Sequence, residues 1–317
     1  MRILAAGLIS VLFGAVGAHA QMAPPIAVTG TSVLFVGNSF TFGAGSAVKF
    51  YRAETVTDLN SEGIGGVPAL FKSFTDQAGL VYDVSLETRG GSGLDFHLEN
   101  KLGVIGRRPW DIVVMHGQST LDFDKPGDPA KLVLTSRQMA DFLRARNPKV
   151  EIHLMATWSR ADQTYPPKGA WAGKPIEAMA RDVRAASDKA AAGAPSVKSV
   201  LPVGEAWTRA MQTGVADPNP YDGIAPGKVN LWTYDHYHAS THGYYLEALV
   251  IFGRLTGRDP RSLGENECSA YELGLPRNEV KALQQVAFDQ LAAAAMIMPA
   301  PLVLPRPVPP ERCAPMR

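Results

Sequence analysis

Five short runs of apolar and β-branched residues alternate along this chain with longer amphipathic stretches. The runs are SVLFVG at 32–37, VYDVSLE at 81–87, WDIVVM at 110–115, VEIHLMAT at 150–157 and VKSVLPV at 197–203. Helical periodicity is clearest at 129–147 and 174–192. Nearly continuous apolar strands have to be buried on both faces, and a strand–helix–strand rhythm supplies helices to cover them. The pattern predicts a three-layer α/β/α sandwich around a central, mostly five-stranded parallel sheet. In such sheets ligands bind beyond the carboxyl ends of the strands. The chemistry of the chain is therefore expected in the segments that follow the five runs.

The two ends of the chain read differently. Residues 1–20, MRILAAGLISVLFGAVGAHA, place one arginine before an uncharged apolar run and finish on small-x-small, the pattern of a secretory signal cut after Ala20. The apolar run is shorter than the about 20 residues that span a bilayer, so no stable membrane anchor is expected. Export to a periplasm or to the outside follows. Residues 21–298 are read as one domain, and the proline-rich stretch 299–317 as an extended tail. The 31 basic and 30 acidic side chains give a formal charge of +1, which falls to zero once Arg2 is removed. Such a balance offers no electrostatic case for binding nucleic acid. Two cysteines, Cys268 and Cys313, in an oxidising compartment argue for a disulfide that ties the tail to the body.

Residues with reactive or hydrogen-bonding side chains do follow the strands. Gly37, Asn38 and Ser39 come after the first, Arg89 to Gly93 after the second, His116 to Ser119 after the third, and Thr157 to Arg160 after the fourth. Ser39 is expected at a helix N-terminus, where serine is also a favoured cap. A serine becomes a nucleophile when a histidine takes its proton and a carboxylate orients that histidine. DHYH at 235–238 supplies Asp235 and His238 three positions apart. The same segment has a competing metal reading, because His236, His238 and His242 with Asp235 have a spacing seen in zinc sites. That reading leaves Ser39 and the glycine-rich segment unexplained.

With these blocks in order, the chain resembles the SGNH (GDSL) hydrolases. VGNSFT at 36–41 resembles the nucleophile block, with Ser39 in the serine position. RGGSGL at 89–94 resembles the segment whose glycine donates to the oxyanion, Gly91 being preferred over Gly93 and Gly90. HGQST at 116–120 falls where Gly-x-Asn is usual, and DHYHASTHGYYL resembles the Asp-x-x-His block. Asn38 stands where aspartate is common, and Gln118 replaces asparagine, as in a less studied GNSFT branch. The resemblance implies catalysis by Ser39, His238 and Asp235, an oxyanion hole made by Ser39, Gly91 and Gln118, and no cofactor. It implies hydrolysis of carboxylic esters, with O-acetyl groups on a small-molecule or polysaccharide carbohydrate leading and lipid or aryl esters as the alternative. A non-catalytic carbohydrate-binding protein of the same fold is the reading from another class. Trp158 and His116 are expected to line the substrate site, and Tyr165 and Trp171 belong to a loop that overhangs it.

Overall fold

The computed structural model describes residues 30–297 and Cys313; the signal segment and the rest of the proline-rich tail lie outside the described residues. Six parallel strands form one sheet: β1 (Thr31–Gly37), β2 (Thr57–Asp58), β3 (Tyr82–Thr88), β4 (Ile112–Met115), β5 (Glu151–Ala156) and β6 (Val197–Pro202). Their order is β2-β3-β1-β4-β5-β6. Without the short edge strand β2 this is the flavodoxin-like 2-1-3-4-5 order, whose switch point lies between β1 and β4. The expected count of five misses β2, because two residues, Thr57 and Asp58, carry neither an apolar run nor a readable alternation.

Alternation along the strands divides the core. Val33, Phe35, Val84, Leu86, Ile112 and Val114 face one side of the sheet. There they meet α1 (Gly66–Gln77), α7 (Val203–Gln212), α8 (Thr241–Thr256) and α10 (Arg277–Ala293). Leu34, Val36, Val113, Met115, Ile152 and Leu154 face the other side. That side is covered by α2 (Leu94–Asn100), α3 (Leu102–Ile105), α4 (Ala130–Arg146) and α6 (Glu177–Gly193). Two shorter helices, α5 (Ala161–Thr164) and α9 (Cys268–Glu272), lie in connections. No helix among the described residues is long and apolar enough to cross a membrane.

Cys268, the first residue of α9, is disulfide-bonded to Cys313 across 45 positions of sequence. Arg52 donates to the Cys313 carbonyl and also pairs with Glu272. Cys313 is thus fastened to the segment between β1 and β2.

Helix α8 is apolar on nearly every face, yet it carries Glu247, whose two carboxyl oxygens are buried and have no partner among the described residues. Burial pushes this carboxyl well above the ordinary carboxylate pKa. The folded chain therefore holds a proton that the unfolded chain releases above about pH 4.5. The stability it contributes is present below that pH and lost as pH rises toward the folded-state pKa. Glu247→Gln is expected to remove this loss. In melting curves from pH 4 to 9, the variant should gain on the native protein as the pH rises; parallel curves would contradict the assignment.

Candidate active site

The end of β1 is shaped by close approach. A Cβ on Gly37 would come within 2.5 Å of both Thr41 Oγ1 and His116 Nε2, so no larger residue fits there. The chain then turns on itself: Thr41 and Phe42 donate backbone N–H bonds to Asn38 O at 3.0 and 3.1 Å, and Ala44 donates to Ser39 O at 3.1 Å. Ser39 therefore stands on consecutive turns, not at the helix start that the sequence suggested. Buried Tyr244 of α8 braces the far side, its hydroxyl within hydrogen-bond reach of Ser39 O (3.1 Å) and Ala44 O (3.0 Å).

Asn38 explains how three loops meet. Its Nδ2 donates to Ser92 O (2.8 Å) and Gly117 O (3.3 Å), while its Oδ1 accepts from Phe40 N (3.1 Å). Both ends of the carboxamide are used. An aspartate here would turn carboxylate oxygens toward two carbonyl oxygens, which is why an amide suits this chain.

The DHYH segment forms a hairpin-like loop closed by Thr233 N to His238 O (2.8 Å) and Ser240 N to Leu231 O (2.8 Å). Asp235 Oδ1 accepts the N–H groups of Tyr237 and His238, each at 2.9 Å, and Asp235 Oδ2 meets His238 Nδ1 at 2.6 Å. Burial opposes charge on Asp235, but the His238 bond and the two backbone donors outweigh it and hold the carboxyl below its usual range. Thr233 Oγ1 donates to Gly45 O (3.2 Å), and the His238 ring lies 6.0 Å from that of Phe40, between centroids. His238 is thereby seated beside the turn that carries Ser39, and its Nε2 has no hydrogen-bond partner among the described residues. Ser39 Oγ has no hydrogen bond among the described residues, and such bonds commonly tighten only in the substrate complex. Ser240 caps α8 by accepting from Gly243 N. Gly243 is required because a Cβ would meet Leu231 O at 2.4 Å.

The loops that carry the expected oxyanion donors are held together by Asn38. Gly91 has φ 72°, the left-handed region that favours glycine. A Cβ on neighbouring Gly93 would lie 3.4 Å from Gln118 N, so the two loops touch. Gln118 Oε1 accepts from Thr120 N (2.7 Å) and Thr120 Oγ1 (2.6 Å), while its amide N–H groups have no acceptor among the described residues. Among the described residues, the N–H groups of Ser39 and Gly91 have no acceptor. Beside Gly91 and Gln118 opens a cavity of about 290 Å3, lined among others by Arg89, Phe96, Phe123 and Lys131; Ser39 and His238 are not among its lining residues.

Two expected substrate contacts are placed differently. Trp158 is 0% exposed, stacked 4.0 Å from Phe40 and 4.6 Å from Trp207. It supports the turn from beneath and offers no face to a ligand. His116 is buried, with Nδ1 on Gly117 O (2.9 Å) and Nε2 on Thr41 Oγ1 (2.8 Å). Burial pushes its pKa down to about 4, so it is a neutral link between loops. Trp171 is buried and donates to Asp182 (2.7 Å), and Tyr165 donates to Pro218 O (2.7 Å), so neither is a free platform. The exposed aromatic side chain beside the oxyanion loop is Phe123, 79% exposed, which sequence reasoning passed over. The histidines of the metal reading face separate partners: His242 pairs with Glu279 on α10 (2.6 Å), and His236 packs on Tyr221.

No protein-family model matches the chain, and no curated protein matches it. Among solved structures, a DUF4886 family protein from Bacteroides uniformis aligns with a TM-score of 0.57 at 17% identity, covering 85% of this chain and 98% of that one. An acetylxylan esterase from Geobacillus stearothermophilus aligns at 0.49 and 16%, over 70% and 93%. A lipase/acylhydrolase from Enterococcus faecalis aligns at 0.45 and 17%, over 72% and 96%. The chain shares the fold of the Bacteroides uniformis protein, an α/β/α sandwich with the flavodoxin-like strand order.

Proposed function

We propose that this chain is an exported serine esterase that hydrolyses carboxylic esters through an acyl-enzyme. The observation that carries the reading is the Asp235–His238 pair, 2.6 Å apart, seated against a turn that presents Ser39 beside three free donors. His238 Nε2 removes the Ser39 proton as Oγ attacks the ester carbonyl. Asp235 stabilises the imidazolium, and the N–H groups of Ser39, Gly91 and Gln118 receive the oxyanion. Collapse expels the alcohol, which takes the proton from His238. A water molecule, deprotonated by the same imidazole, then releases the acid and restores Ser39.

The cavity beside the oxyanion donors, about 290 Å3, lies at the lower end of the roughly 300–1,000 Å3 typical of ligand pockets. A cavity of that size next to Gly91 and Gln118 has room for one ring of an alcohol such as an O-acetyl carbohydrate. Phe123 and Phe96 supply apolar faces for such a ring. The leader-like N-terminus and the Cys268–Cys313 bridge support export.

A fluorophosphonate probe, which phosphonylates activated serines, tests the reading. The native protein is expected to label and Ser39→Ala is expected not to. Failure of the native protein to label would leave a carbohydrate-binding protein without catalysis.

A further inference from the structure

Beneath the oxyanion loop lies a pair of ionisable residues that the reaction does not use. Glu87, next to the last residue of β3, and His97, on α2, are both 0% exposed and joined directly through His97 Nδ1. The second imidazole nitrogen, Nε2, reaches Ser92 Oγ at 3.2 Å. Ser92 in turn closes the glycine turn, donating from Oγ to Arg89 O (2.8 Å) and from N to the same oxygen (3.3 Å). Its carbonyl receives the Asn38 amide (2.8 Å). On the other side, Glu87 Oε1 accepts from Asn60 Nδ2 (3.1 Å) and has Lys101 Nζ at 3.9 Å, and Lys101 donates to Asn60 Oδ1 (2.7 Å).

We propose that His97, oriented by Glu87, is a positioning residue that clamps Ser92 and thereby fixes the Gly91 N–H in the oxyanion hole. Taking a carboxyl and an imidazole out of water is costly, and apolar residues of similar size commonly fill such space as well or better. What apolar residues cannot supply is a directed bond to the turn that carries Gly91. That turn contains Gly90 and Gly91, which leave it poorly restrained by its own backbone. The chain of bonds runs from Lys101 and Asn60 through Glu87, His97 and Ser92 to Asn38, so it joins the oxyanion loop to the residue next to the nucleophile. The inference rests on Gly91 as an oxyanion donor, and its test is arranged so that the two fail separately.

The experiment compares the native protein, Ser92→Ala, His97→Gln and the double variant in p-nitrophenyl acetate kinetics. Amide hydrogen exchange is followed at Arg89 and Ser92, whose N–H groups are bonded to Gly37 O and Arg89 O. Each single variant is expected to lower kcat about tenfold or more with KM within about twofold, since a misaimed donor loses part of the 100–1000-fold that one donor supplies. The double variant should fall no further than the worse single one, because both changes break the same link. Exchange at Arg89 and Ser92 should quicken. Should His97→Gln fail to fold, Ser92→Ala, which removes a single hydroxyl, decides alone. Unchanged kcat in folded Ser92→Ala, or losses that multiply in the double variant, would overturn the clamp. If the native protein turns over no ester, the esterase reading fails, while unchanged exchange still refutes the clamp and quickened exchange still supports it.

Discussion

Ser39→Ala is expected to lower kcat/KM for a small aryl acetate by about four to six orders of magnitude while leaving the fold and its melting temperature essentially intact. The size follows from the loss of the covalent route, since only the oxyanion donors and substrate binding remain to act on water. The intact fold follows from how the turn is built. It is held by Asn38 O, Asn38 Oδ1, Ser39 O and the Tyr244 hydroxyl, and none of these bonds passes through Ser39 Oγ. His238→Ala should cost a comparable factor, and the Ser39/His238 double variant should be no slower than either single one, because groups that act as one unit are not additive. Asp235→Asn should fall short of that loss but still reach about 10⁴-fold. Its amide reverses the bond at His238 Nδ1 and so disfavours the tautomer that leaves Nε2 able to accept a proton. Steady-state kinetics on purified, folded variants check the series. Undiminished turnover by Ser39→Ala would end the esterase reading.

The next largest effect is expected from Gln118→Ala, a fall in kcat of about 100 to 1000-fold with KM little changed, the signature of a donor that acts in the transition state. Gln118 has a longer and more flexible side chain than asparagine, and a flexible donor is a weak one. Here Thr120 removes the slack by bonding Gln118 Oε1 from both its N–H and its hydroxyl. Thr120→Val should accordingly reproduce part of the loss while leaving Gln118 itself in place. A Gln118→Ala enzyme within about tenfold of the native kcat would remove this side chain from the oxyanion hole.

The fold and the Asp235–His238 pair were legible because their signals are local. An apolar run of six or seven residues declares a buried strand, and Asp235 and His238 lie three residues apart in one loop. Strand β2 was not legible, since its two residues owe their conformation to the neighbouring β3. Trp158 and His116 were correctly placed in the ring of loops, but position after a strand does not say which way a side chain points. Phe40 takes one face of Trp158, and Thr41 takes one nitrogen of His116. The partners of Asn38 lie 54 and 79 residues away, and no spacing rule links them. Glu87 and His97 are ten positions apart, yet a strand end, a glycine turn and a helix start lie between them.

Asn38 also bears on how such a protein changes over time or under design. A side chain that bonds Ser92 O, Gly117 O and Phe40 N at once makes three loops into a single heritable module. Grafting the second or third loop alone from a relative would carry over its side chains but not the carbonyl positions that Asn38 is cut to fit. Diversity in substrate choice is then freest at the outer parts of these loops, around Phe123, where sequence can drift without reaching that shared joint.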